Sequence, residues 1–284
     1  MTERSHKPGG GLAAWKWLLL PLMTAMTCMA YLWAGDAKRF GSPATARIIF
    51  WHVPMAILSM VWFFAAAWYS IRYLVRKHAF DDTRASLAAE VGLLLTALAT
   101  VTGAIFSKMQ WAGGFESPWY AGYWQWDPKQ TAIVIVIVIY MAYFALRMSV
   151  EDSRTRARLA AVYAVLGALS VPFLYYTLPH LPIFQDTTLH PTDVVKAGGM
   201  DVPYRWTFNL STLAHLGVSI WAYQLKVRLA RLEQRAPSGE SWVEAPAITA
   251  VRGRARSNGA GDPADEPEPA GARRNAAHGT EGAG

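Results

Sequence analysis

The sequence predicts an all-α polytopic membrane protein with six transmembrane helices and a tryptophan-rich outer loop. Two observations lead there. Hydrophobic residues make up 53% of the 284 and charged residues 17%, with the polar residues gathered into short blocks between long apolar runs, as in a chain that crosses a bilayer repeatedly. Six such runs stand out, at 15–33, 48–74, 87–106, 131–146, 159–178 and 206–227, and most reach the ~17 to 25 residues that a spanning helix needs.

The first run has a basic start, which a cleaved signal peptide also has. It is longer than the roughly 7 to 15 apolar residues of a signal core and no convincing small-x-small site follows it, so a retained helix is expected. The second and third runs are straightforward spans. The fourth is marginal by length and must begin near Pro128; its Ile133 to Ile139 core of alternating Ile and Val would suit a buried strand in a soluble protein. Among five other spans, helix is the consistent assignment, because a lone strand leaves its backbone unpaired in lipid. The fifth and sixth runs complete the bundle. This divides the chain into a cytoplasmic N-terminal segment (1–14), a six-helix membrane domain (15–230) and a tail (231–284). The tail is Ala, Gly, Pro and charge, too poor in apolar residues to offset the entropy of ordering.

The formal net charge of +7 does not point to nucleic acid, because the positive residues sit beside the spans. Arg72, Arg76, Lys77 and Arg84 lie between spans two and three, Arg147, Arg154, Arg156 and Arg158 between four and five, and Lys226, Arg228, Arg231 and Arg235 after six. All share one side with Arg4, Lys7 and Lys16, and the positive-inside rule makes that side cytoplasmic. Both termini are then cytoplasmic, and the loops 34–47, 107–130 and 179–205 face outward. The single cysteine, Cys28, excludes an intramolecular disulfide, a Cys-x-x-Cys relay and covalent haem attachment through Cys-x-x-Cys-His.

Sidedness sorts the histidines. His6, His78 and His278 fall in cytoplasmic or tail segments and read as solvated. His52 opens span two and His190 lies in the last outer loop, both on the side of the tryptophan loop. Either could be an ordinary hydrogen-bonded histidine; imidazole is also a good ligand for haem iron, and two from opposite faces make it six-coordinate. His180, between Pro179 and Pro182, is a substitute candidate. His215 lies deep in span six, where a neutral histidine bonded to Ser, Thr or Tyr on a neighbouring helix is the simpler account. Asp127-Pro128 is the expected N-cap and N1 pair of span four. Trp111, Trp119, Trp124 and Trp126 suit an interfacial belt, but four in one loop exceed what anchoring needs, and the shelf suits a flat apolar ligand.

These residues also carry a family resemblance. Tyr123-Trp124-Gln125-Trp126-Asp127 resembles the tryptophan-rich signature of the haem-handling proteins of cytochrome c maturation, the CcmC, CcmF and CcsA group. Arg47 to Pro54, with His52, resembles the start of the second helix of the haem exporter protein C family (CcmC). Val101-Thr102-Gly103 and Thr188-Leu189-His190 resemble its third-helix end and second histidine segment. The match spans about 15–230, and the Asp-Pro-Lys ending is closer to the CcsA branch.

The resemblance implies that His52 and His190 are axial ligands of a periplasmic, non-covalent and transient haem b. It implies that Trp124, Trp126 and Asp127, flanked by Tyr123 and Trp119, form a platform beneath it. Arg47, Lys108, Lys129 and Arg205 are the outward cations for its propionates. The implied partners are a periplasmic haem chaperone (CcmE-like), ABC-transporter subunits (CcmA/CcmB-like), a small membrane subunit (CcmD-like) and membrane lipid. The implied role is haem delivery at the bacterial inner membrane, without catalytic turnover. The alternatives are a CcsA-type subunit of a cytochrome c synthase, a membrane b-type cytochrome using His52 and His215, and a secondary transporter, for which repeats and broken helices are missing from the sequence.

Overall fold

Three of the helices begin where short-range sequence signals say they should. Asp127, Asp152 and Asp201 each stand at an N-cap and accept a hydrogen bond from the amide three residues on, at Gln130, Thr155 and Tyr204 (2.8, 2.7 and 3.1 Å). This satisfies one of the first-turn N–H groups that a helix leaves unpaired. The computed structural model describes residues 14–37, 40–112, 116, 118, 122–184, 187, 189–190 and 200–235. Within them run α1 (Leu19–Cys28), α2 (Ile49–Arg76), α3 (Ala79–Trp111), α4 (Pro128–Ser149), α5 (Ser153–Pro172) and α6 (Val202–Glu233), and no strand occurs among the described residues.

Four segments are long and apolar enough to cross a membrane: Thr45–Arg76, Ala79–Trp111, Pro128–Ser149 and Ser153–His180. The chain is therefore an all-α polytopic membrane protein. The first and last of the expected six runs are helical but fall outside that set. A 3-10 turn at Ala14–Leu18 and a π-helical turn at Met29–Trp33 flank the short α1, and α6 ends in a basic stretch. Span four does begin at Pro128, as its length demanded. Helices α3 and α5 start several residues before their apolar runs: Asp152 caps α5, and α3 carries Asp81 and Asp82 in its first turn, where acidic side chains favour a helix start.

Gain from burial cannot hold such helices together where lipid is as apolar as the core; close packing and polar contacts must. Small residues make that packing: Ala66 of α2, Ala88 and Ala89 of α3, and Ala160, Ala164 and Ala168 of α5 are all buried. Between them Phe63 stacks on Tyr140 of α4 at 3.6 Å. Helix α2 is central, packing against α3, α5 and α6. Large apolar side chains such as Trp68, Val101, Val138 and Leu166 point outward, where the lipid would lie.

One polar contact has a specific cause. Pro54 lies inside α2 and has no N–H, so the carbonyl of Phe50, four residues back, lacks its helical partner. The buried Ser211 hydroxyl of α6 donates to that carbonyl instead. The proline thus ties α6 to α2 at Phe50, two residues before His52.

The two ends of the bundle differ. At one, Arg147 of α4 grips Asp82 of α3 with two bonds (2.7 and 2.9 Å), and Arg72 of α2 lies 3.4 Å from Asp81. At the other, Gln110 near the end of α3 donates to the Ser42 carbonyl and accepts from its amide (2.9 and 3.0 Å), and His190 meets Asp127. The three loops expected to share a face therefore do so.

Candidate functional site

The site is built around two helix starts and one helix end. His52 sits in the first turn of α2 and reaches α3, where its Nδ1 lies 2.9 Å from the Ala99 carbonyl and 3.3 Å from Thr102 Oγ1. A carbonyl can only accept, so Nδ1 carries the proton and Nε2 keeps a free lone pair. Gly103 makes room for this: a Cβ there would lie 2.7 Å from His52 Cε1. Ala99, Thr102 and Gly103 of α3 are thus the seat of the imidazole.

His190 is held the same way by a different residue. Its Nδ1 donates to Asp127 Oδ2 at 2.6 Å, while Oδ1 of the same carboxylate caps α4. Asp127 is only 3% exposed. Burial pushes its carboxyl up, but the His190 hydrogen bond and charge, with the amides of Gln130 and Leu189, outweigh that and hold it below the usual carboxylate range. The carboxylate engages Nδ1, so in the neutral form of His190 the unprotonated nitrogen is Nε2. Imidazoles that ligate metals are oriented by such partners on the opposite nitrogen.

Aromatic rings from the end of α3 join the two histidines. Phe106 lies parallel to His52 (6.4 Å, 9°), Trp111 meets Phe106 edge-on at 5.4 Å, and Trp111 meets His190 at 5.0 Å. Both histidines line one cavity of about 420 Å³, along with Trp124, Lys129, Tyr175 and His180. Its wall is mostly apolar, and the buried Trp124 indole N–H finds no partner among the described residues. This is the chemistry of a site for a flat apolar molecule carrying an acceptor group.

The remaining residues singled out in the sequence are placed as follows. Trp126 stacks edge-on against Trp124 at 5.6 Å but is 69% exposed and outside the cavity wall. Its φ of 54° is a left-handed conformation that is strained for a bulky residue. Tyr123 lies near the Lys108 ammonium (5.7 Å) rather than on the wall. Trp119, Thr188 and the tail from 236 fall outside the described residues.

The four cations separate. Arg47 pairs with Asp36 at 2.8 Å, the Lys108 ammonium donates to the Pro118 carbonyl at 2.6 Å, and Arg205 donates to the Met200 carbonyl at 3.1 Å. Lys129 is the one on the cavity wall among the described residues. His215 bonds to Ser211 of its own helix, at the carbonyl (2.8 Å) and Oγ (3.2 Å), rather than to a neighbouring helix as expected; four residues apart, the two share one face of α6. It does not line the cavity. Phe106 carried no individual signal in the sequence, although its spacing from Gly103 and Gln110 marks one face of α3.

Comparison with known proteins decides the family. The model of the heme exporter protein C family (CcmC) matches residues 4–242. The chain belongs to that family. Heme exporter protein C of Bradyrhizobium diazoefficiens is 28% identical over 198 residues, covering 70% of each chain. That of Paracoccus denitrificans is 33% identical over 127 residues, 44% of this chain and 48% of its own. That of Escherichia coli K12 is 24% identical over 224 residues, 78% and 86% respectively. As a CcmC family member, the chain has a role in haem delivery for cytochrome c maturation. The CcmC match extends across all six apolar runs, not only the tryptophan segment that the wider group shares.

Proposed function

We propose that this CcmC family member receives haem at the outer face of the inner membrane, holds its iron between His52 and His190, and passes it to a periplasmic haem chaperone. One observation carries the reading: two imidazoles line one largely apolar cavity, each with Nδ1 engaged and with no partner at Nε2 among the described residues. The cavity suits the ring, and Trp124 with its unpaired N–H and Lys129 suit the propionates. With Cys28 the sole cysteine and located in α1, the group is held without a thioether, as a transferable haem b.

The chain's own part is to orient and release rather than to turn over a substrate. Asp127 and Ala99 hold the two imidazoles, Phe106 and Trp111 brace them, and the exposed Trp126 with Tyr123 offers an aromatic rim to the CcmE-like chaperone. ABC-transporter subunits resembling CcmA and CcmB and a small CcmD-like subunit complete the assembly. The basic end of the bundle, with Arg72, Arg84, Arg147 and Arg231, supports a cytoplasmic location for both termini and six spans, counting the 14–33 segment and α6.

The test is an optical spectrum of protein purified from membranes, with and without reductant. Wild type shows a low-spin bis-histidine spectrum. His52→Ala abolishes it and His190→Ala alters it; an unchanged spectrum in both variants would overturn the assignment.

A further inference from the structure

A third imidazole faces the same cavity. Pro172 leaves the end of α5 without one N–H, and a π-helical turn, Phe173–Thr177, follows it, then a 3-10 turn, Leu178–His180. A π turn takes up an extra residue and changes the register of what comes after. Here Tyr175, Tyr176 and His180 all come onto the cavity wall. His180 Nδ1 lies 2.5 Å from the Tyr176 carbonyl, so its proton sits on Nδ1 and Nε2 is free. That is the tautomer of His52 and His190.

The three do not converge. Among the described residues, no three His, Cys, Asp or Glu side chains come close enough to share one metal ion. His180 is also exposed, whereas His52 and His190 are half-buried. A free imidazole nitrogen at the rim of a cavity whose interior already offers two suits an iron in transit.

We propose that His180 is an exchange ligand, its Nε2 taking the place of His190 opposite His52 while haem is loaded or released. His52 is the constant partner because it is wedged between α2 and α3 against Gly103. His180 and His190 both belong to the connection between α5 and α6. The swap is balanced: one iron–nitrogen bond forms and one breaks, each imidazole coordinates through Nε2, and the iron keeps its oxidation state. Its effect is that the iron is handed outward without losing its sixth ligand. This inference rests on the His52–His190 reading above.

The experiment uses the full-length chain purified with haem, read by optical and electron paramagnetic resonance spectra, and apomyoglobin as a haem sink. His190→Ala is expected to give a low-spin signal with g values distinct from wild type, and His180→Ala/His190→Ala a high-spin signal alone. His180→Ala is expected to slow transfer to apomyoglobin several-fold. High-spin haem in His190→Ala, matching the double variant, or an unchanged transfer rate in His180→Ala, overturns the exchange role while leaving the His52–His190 site standing. A wild-type spectrum in His52→Ala overturns that site instead. His180 is exposed, so its replacement leaves the fold intact, which an unchanged melting temperature checks.

Discussion

Asp127 separates two jobs that one substitution can pull apart. Asp127→Asn keeps an oxygen for the Gln130 amide, so α4 stays capped, but it turns an N–H toward His190 and drives the imidazole proton to Nε2. Haem affinity should then fall about 10- to 100-fold, the usual cost of losing an orienting partner, with helix content by circular dichroism unchanged. Asp127→Ala should lose the cap as well, adding about 0.5 to 2 kcal/mol of destabilisation. Gly103→Ala tests the other imidazole. Its methyl would sit 2.7 Å from His52 Cε1, and relieving such a contact costs about 1 to 3 kcal/mol; the expected readout is a shift of bound haem toward high spin. The cap at Asp127 was legible in the sequence because it is a three-residue relation. The seat of His52 was not, because Ala99 is 47 residues away and only packing brings its carbonyl to the ring.

Among the elements, α2 offers the sharpest test of how a broken helix is repaired. Ser211→Ala leaves the Phe50 carbonyl buried without a donor, a loss of about 1 to 3 kcal/mol. In a Pro54→Ala background the residue regains its N–H and the helix satisfies that carbonyl itself, so the same Ser211→Ala change should cost much less. Thermal unfolding of the four proteins in detergent measures the coupling. A proline in an apolar run is visible in the sequence; that its orphaned carbonyl is served from a residue 161 positions on is not. The same holds for the π-helical turn after α5. Pro172 announces a disturbance, but which side chains it turns toward the cavity depends on the register change, and so His180 read only as a substitute ligand candidate.

For the whole molecule, sidedness is the property most open to direct measurement. With Cys28→Ala as background, single cysteines at Ser42 and Thr187 should react with a membrane-impermeant maleimide in intact spheroplasts. Cysteines at Ser149 and Ser153 should react only after permeabilisation. Labelling of the second pair in sealed cells would reverse the orientation and move the cavity to the cytoplasmic side. The number and placing of apolar runs, and the bunching of Arg and Lys between alternate pairs, made the architecture readable, since both answer to the bilayer rather than to tertiary detail. The cation assignments were less readable: Arg47 matched the expected chemistry, yet Asp36 is close enough to claim it.

The carboxylate of Asp127 has one further consequence, a mechanical one. Its two oxygens grip different bodies, Oδ1 the first turn of α4 and Oδ2 the imidazole on the far loop. A pull on the loop that carries His190 is therefore a pull on the start of a membrane helix. The Gln130 amide, held by that same carboxylate, becomes a strain gauge, and its hydrogen-exchange rate should rise whenever a docking partner draws His190 outward.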